Sequence, residues 1–380
     1  MAVVPAVIPG LKKAGLEVVI ESGAGARAGF PDADYEQQGA RVAASRQEVF
    51  QGADVLACVN GPAAGEAGQE DLALLRRGQL LVGMLNPLVR PEGIRELARR
   101  GVTAFALELL PRITRAQSMD VLSSMATVAG YRAVLLGAGA LNKMFPMMMT
   151  AAGTVTPARV FIVGAGVAGL QAIATARRLG AVVQAYDVRP AVKEQVESLG
   201  AKFVELPLET AAAEAAGGYA QAMGEEFYKR QREMMARVVA ESDVVITSAA
   251  VPGKRAPVLI TADMLRAMPP GGVVIDLAAE SGGNCEATQP GATVEAHGVK
   301  VIGPLNIAST IPYHASQMYG RNVSAFLQNL IKKGELHLNL GDEIIRDTLV
   351  AHDGEVSSAR LRELLGLEVP APPAEERSPS

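Results

Sequence analysis

The stretch Val160-Phe-Ile-Val-Gly164-Ala-Gly166-Val-Ala-Gly169-Leu-Gln-Ala-Ile-Ala174 decides the fold. Four apolar residues read as a short buried strand, and the residues after Gly166 read as the start of a helix. Gly164 permits a tight turn off the strand, Gly166 lets backbone approach a pyrophosphate, and Gly169 lets the helix pack close to the sheet. Ala165 and Val167 complete the turn, whose N–H groups and helix dipole suit phosphate. A second strand, Val182–Tyr186, then leads to Asp187, 23 residues beyond Gly164. A carboxylate there accepts hydrogen bonds from an adenosine ribose and repels a 2′-phosphate, which points to NAD over NADP. Arg189 stands two residues later, where it either pairs with such a phosphate or contacts the pyrophosphate or adenine edge.

Working outward, strands are expected at Val160–Val163, Val182–Tyr186, Lys202–Glu205, Val244–Thr247, Val273–Asp276 and Val299–Ile302, with helices between them. Six are enough for a full dinucleotide-binding domain. Upstream, strands at Leu16–Glu21, Ala53–Val59, Leu80–Met84 and Thr103–Ala106 alternate with helices at Asp71–Arg77 and Pro91–Arg100, the latter with proline at its start and Gly101 at its end. Gly23-Ala-Gly25-Ala-Arg-Ala-Gly29 is a decoy: its third glycine is one place late and Phe30-Pro31 follows it, so it reads as a turn.

A long helix is expected from Ser118 to about Leu141, with Ser118 leading it and Asp120 in its first turn, and another from Ser309 to about Lys333. Ala211–Met235 breaks the rhythm and reads as a long surface loop or lid. The proline-rich tail beyond Leu367 reads as disordered. The expected architecture is α/β: two Rossmann-like doubly wound parallel-sheet domains joined by long helices, with a cleft between them. Residues 1–123 and 312–367 make the first domain, 124–311 the NAD-binding domain with a mobile loop at about 211–235, and 368–380 the tail.

The chain's 380 residues are too many for one ordinary domain, and 49% apolar against 20% charged residues gives it cores to bury. A net charge of −4 implies no basic surface, which argues against nucleic acid as a partner. Cys58 and Cys285 alone cannot build a disulfide framework, and His297, His314, His337 and His352 sit in no metal-ligand spacing, so no metal is expected. Met1 to Gly10 lacks a secretory pattern. The longest windows free of Asp, Glu, Lys and Arg, Val160–Ala176 and Val301–Gly320, are broken by glycine, proline and polar residues, so a soluble chain is expected.

Leu110-Pro-Arg112-Ile-Thr-Arg115-Ala-Gln117-Ser118-Met-Asp120-Val-Leu-Ser123-Ser124 gathers polar groups at the interdomain boundary. A helix cap with surface charges accounts for it, and so does a loop that holds a nicotinamide carboxamide; spacing does not choose.

That string, with Ala129-Gly-Tyr-Arg-Ala-Val134, Pro146-Met-Met-Met-Thr-Ala-Ala-Gly153, Val163–Gly180, Asp187-Val-Arg189, Gly217-Gly-Tyr219, Pro252-Gly-Lys254 and Ala279-Glu-Ser-Gly-Gly-Asn-Cys285, closely resembles the NAD(H)-binding component of proton-translocating NAD(P) transhydrogenase. The match runs from about Leu16 to Leu340. The resemblance implies that Arg112, Gln117, Asp120 and Ser123 position the nicotinamide and its ribose for hydride transfer. It implies that Asp187 and Arg189 hold the adenosine side, that Gly218, Tyr219 and Gln231 lie in a mobile loop closing over the nucleotide, and that Ala250 lines the same cleft.

It further implies NAD(H) bound here, NADP(H) on a partner component, and membrane-spanning subunits that couple hydride transfer to proton movement. The chain is then a peripheral cytoplasmic subunit on the inner face of the membrane, and a homodimer. Relatives begin with a strand and a segment that this sequence enters only near its end, so a shortened start or a variant first sheet is expected. An alanine-dehydrogenase-like oxidoreductase shares the plan but needs a lysine and a histidine to hold a carboxylate and relay a proton. Leu56–Pro62 and Leu81–Pro87 carry neither. A nonenzymatic NAD sensor is the remaining alternative, and it differs by showing no redox turnover with partner components.

Overall fold

The computed structural model describes residues 1–65, 68–205, 225–250 and 253–369. Expectations for Gly218, Tyr219, most of the loop around them and nearly all of the tail lie outside these residues. The chain divides into two units, one of Met1–Leu122 with Pro312–Ser380 and one of Ser123–Ile311.

Among the described residues the main sheet of the second unit has seven strands: β1 Arg159–Val163, β2 Val182–Tyr186, β3 Lys202–Phe203, β4 Val244–Thr247, β5 Val273–Asp276, β6 Thr293–Ala296 and β7 Val299–Ile302. Their order is β3-β2-β1-β4-β5-β7-β6, parallel throughout except for the β6–β7 pair. The order reverses between β1 and β4, the place where open α/β sheets bind ligands at the carboxyl ends of their strands. Alternate side chains leave the strands on opposite faces. Val160, Ile162, Val183, Val244 and Ile275 join one core, and Phe161, Val163, Tyr186, Val245 and Val274 join the other. The unexpected β6 pairs with β7 through His297 and Gly298, both at positive φ (55° and 77°), as a two-residue hairpin turn requires.

Among the described residues five α-helices accompany this sheet: α1 Val121–Ala140, which starts at the end of the first unit, α2 Val167–Arg178, α3 Lys193–Ser198, α4 Glu225–Ala240 and α5 Ala262–Ala267. Helix α1 starts three residues later than expected, because residues Thr114–Met119 form a separate 3₁₀ turn and Asp120 is extended (φ −72°, ψ 93°). Ser118 therefore leads no helix, and Asp120 precedes the first turn instead of lying in it. Among the described residues α1 is long and apolar enough to cross a membrane by length and composition, with mean hydropathy 1.3. Arg132 divides it, so no long charge-free window marks it in the sequence. Its Ala133 and Val134 join the core of the second unit, while a third of the apolar window is buried in all.

Helix α4 corrects the loop reading over residues 225–235. Gln231, Met235 and Val239 recur every fourth residue and are buried, a stripe that the surrounding charges of Lys229, Arg230, Arg232 and Glu233 conceal in the sequence.

In the first unit Val55–Asn60, Leu80–Met84 and Thr103–Ala106 form a parallel sheet, extended by Leu349–His352 antiparallel to Thr103–Ala106 and by Glu355–Val356 antiparallel to Leu349–His352. The expected first strand, trimmed to Val19–Glu21, pairs instead with Arg41–Ala43 in a separate two-stranded sheet. Pro91–Arg99 buries Ile94, Leu97 and Ala98, an amphipathic helix read correctly to within one residue. The long C-terminal helix begins at Pro312, not Ser309, since the residue before a proline is excluded from the helical region, and Ile311 is at φ −124°, ψ 64°. The Gly23–Gly29 decoy is a turn followed by 3₁₀ residues Ala26–Ala28.

Candidate nucleotide-binding site

The glycine turn sits at the carboxyl end of β1. Gly164 adopts φ +98°, and its N–H donates to the Tyr186 carbonyl (2.8 Å) across the β1–β2 pair. A Cβ on Gly169 would stand 1.8 Å from the Gly164 oxygen, so only glycine lets α2 sit this close to the turn. A Cβ on Gly166 would meet nothing within 4 Å: the backbone there faces open space. Val167 opens the 12-residue helix α2, and no acidic side chain lies in its first turn to neutralise its positive end. An approachable turn capped by unpaired helix N–H groups fits a pyrophosphate.

Asp187 follows β2 and is 7% exposed. Its Oδ2 accepts from the Ala165 N–H (2.8 Å) and from Arg189 Nη2 (2.9 Å). Its Oδ1 accepts from the Arg189 N–H and Nε (both 2.9 Å). The structure thus brings Gly164, Ala165, Gly166, Val167, Gly169, Asp187 and Arg189 into one cluster. Gln231 is placed elsewhere than expected: it is a buried residue of α4 whose Nε2 donates to the Tyr186 hydroxyl (3.0 Å), while its buried Oε1 has no hydrogen-bond partner among the described residues. Burial pushes the Tyr186 hydroxyl up to about 12, so it stays protonated at neutral pH.

Three residues passed over in the sequence shape the neighbouring strand ends. Asp276, fully buried at the end of β5, accepts from Thr247 Oγ1 and the Ala278 N–H on one oxygen, and from the Asn284 and Cys285 N–H groups and Thr288 Oγ1 on the other. Asn284 in turn clamps Ala249, accepting from its N–H and donating to its carbonyl, and donates to the Pro257 carbonyl. Ser248 Oγ donates to the Gly164 carbonyl (3.1 Å). The segment leading to the exposed Ala250 is therefore tied to the glycine turn. An aspartate closing an apolar strand and an asparagine within Ala279–Cys285 were the available signals.

In the first unit Arg112 and Gln117 are exposed and Asp120 is half-buried; Ser123, in the second unit, is also half-buried. The turn carrying Gln117 is fastened by Asn322 Nδ2, which donates to the Ser118 carbonyl (2.8 Å), and by the ion pair of Arg115 with Asp342. Among the described residues no cluster of His, Cys, Asp or Glu is built to hold a metal ion.

Residues 1–129 match the family described as alanine dehydrogenase/PNT, N-terminal domain, and residues 133–359 match its C-terminal domain. The chain is 48% identical over 359 residues to an NAD(P) transhydrogenase subunit alpha polypeptide of Rhodospirillum rubrum, covering 94% of each. A solved structure of transhydrogenase from Sinorhizobium meliloti superposes with a TM-score of 0.83 at 45% identity, covering 93% of this chain and 95% of that one. Alanine dehydrogenase of Halomonas elongata is more distant, 30% identical over 93% of this chain and 90% of its own length. The chain belongs to the alanine dehydrogenase/PNT family, within which it stands nearer to these transhydrogenase alpha subunits than to the alanine dehydrogenase.

Proposed function

We propose that this chain is the NAD(H)-binding subunit of a proton-translocating NAD(P) transhydrogenase, exchanging hydride directly with NADP(H) on a partner component while membrane-spanning subunits couple the exchange to proton movement. The observation that carries the nucleotide assignment is the glycine turn with a buried carboxylate bonded to its Ala165 N–H. The 48% identity to a transhydrogenase alpha subunit supports the rest of the reading.

Nicotinamide supplies the hydride chemistry, which needs neither a general acid nor a metal; the protein's task is to hold the ring, exclude water and present one face. Gly164 to Gly169 and the first N–H groups of α2 hold the pyrophosphate, and Asp187 selects an unphosphorylated adenosine ribose. Arg112, Gln117, Asp120 and Ser123 are assigned to the nicotinamide carboxamide and its ribose. Gly218, Tyr219 and Ala250 remain assigned to closure and lining of the site. Gln231 supports it from behind, through Tyr186, which immediately precedes Asp187.

The alternative amino-acid oxidoreductase is disfavoured because the strand Val55–Asn60 and the residues after Leu80–Met84 offer no lysine or histidine. The assembly we propose is a homodimer held peripherally on the cytoplasmic face of the membrane by its partner subunits. The test is NADH titration of the isolated chain, followed by mixing with an NADP-loaded partner component. Tight NADH binding, much weaker NADPH binding and turnover only with the partner are expected. Equal affinities for the two nucleotides overturn the role of Asp187, and no turnover with the partner leaves a nucleotide sensor.

A further inference from the structure

We propose that Arg189 is a selectivity-determining residue that competes with the adenosine ribose for Asp187. This inference rests on the reading that the site takes NAD(H). A carboxylate offers about four acceptor positions, and the chain itself fills all four on Asp187. A ribose diol reaches the carboxylate only by displacing a donor.

Two of the four cannot leave without dismantling the site. The Ala165 N–H lies between Gly164 and Gly166 in the phosphate turn, and the Arg189 N–H is pinned two residues down the chain from Asp187 itself. The other two belong to the guanidinium, carried at the end of a long side chain.

Its departure frees one acceptor position on Oδ1 and one on Oδ2, because Nε serves the first oxygen and Nη2 the second. Two hydroxyl donors on adjacent carbons need that arrangement, so the exchange is one two-pronged donor for another. The pair is well shielded, with Arg189 and Asp187 side chains 14% and 5% exposed, so the site must break a strong contact before it binds a nucleotide. The apparent affinity is lowered by the fraction of molecules in which the pair is closed. A 2′-phosphate brings acceptors, not donors, and so cannot replace the guanidinium. Arg189 thereby lowers affinity for NAD(H) without opening the site to NADP(H).

The test uses the full chain as wild type, Arg189→Ala and Arg189→Lys, with NADH, NADPH, adenosine 5′-monophosphate, its 2′-deoxy analogue and nicotinamide mononucleotide as probes. Removing the fork should tighten NADH and adenosine monophosphate roughly tenfold, the value of about one charge-assisted contact. The deoxy analogue, the mononucleotide and NADPH should gain under about twofold on the same reasoning.

Arg189→Lys keeps the charge without the fork and should fall between; it carries the test if circular dichroism shows that the alanine variant does not fold. Unchanged or weaker NADH binding by a folded variant overturns the proposal while leaving the nucleotide reading intact. Wild-type protein that binds no NADH overturns both.

Discussion

Both units carry, at or just beyond the end of a parallel strand, a carboxylate that accepts from residues at or just past the end of a neighbouring strand, yet the two are finished differently. In the second unit Asp276 is buried with five donors and Asp187 with four, so each charge is fully compensated. In the first unit Glu108, just beyond Thr103–Ala106, accepts from the Leu85 and Asn86 N–H groups (2.8 and 2.6 Å) on Oε1, but its buried Oε2 has no hydrogen-bond partner among the described residues. Desolvation pushes the Glu108 carboxyl above the ordinary glutamate range despite those amides. The difference is one of purpose. A dinucleotide site needs strand ends held still at several points, and the second unit holds them with complete hydrogen-bond sets. The first unit tolerates a carboxyl that carries its proton more readily.

The largest test of that contrast is Asp276→Asn. It keeps the shape but turns an amide donor toward other donors, so we expect about 3 kcal/mol of lost stability in denaturant unfolding. Loss of under about 1 kcal/mol would mean that the network is not the anchor it looks to be. Gly169→Ala comes next: its Cβ cannot coexist with the Gly164 carbonyl, and pushing α2 away should weaken NADH binding by about 2 kcal/mol, read by titration.

Gln117→Asn and Asp120→Asn touch the nicotinamide end in our assignment. They should slow hydride transfer roughly tenfold in stopped-flow mixing with the partner component, with NADH affinity nearly unchanged. A fall in affinity with an unchanged rate reverses their role.

Glu108→Gln is the smallest. A carboxyl raised in the folded state contributes stability that is full at low pH and lost as pH rises through its folded value. The neutral amide removes that loss and should make the protein more stable above neutrality, by under about 1 kcal/mol, with no gain at pH 4. A gain of equal size at both pH values would show that the charge is not the cause.

Much of the fold was legible because its signals are local. Alternating β-branched runs marked β2, β4, β5 and β7 to the residue, and Gly164, Gly166 and Gly169 marked the turn, in which the positive φ of Gly164 and the close approach at Gly169 call for glycine. What stayed hidden depends on partners distant in sequence. Leu349–His352 is a strand because it finds Thr103–Ala106, and Val19–Glu21 left the expected sheet because Arg41–Ala43 offered another edge. Gln231 looked like part of a charged loop until its helix placed it under Tyr186. The site was legible in its nucleotide anchor for the same reason. Asp276 and Asn284 were not, since their importance lies in how many backbone groups converge on them.

The central claim is direct hydride passage from the nucleotide held here to one held by another component. NADH deuterated at the transferable C4 position, mixed with this chain and an NADP⁺-loaded partner component in ordinary water, measures it outright. Deuterium recovered on the NADPH formed is the expected result; deuterium lost to water, or NADPH formed without it, contradicts the account.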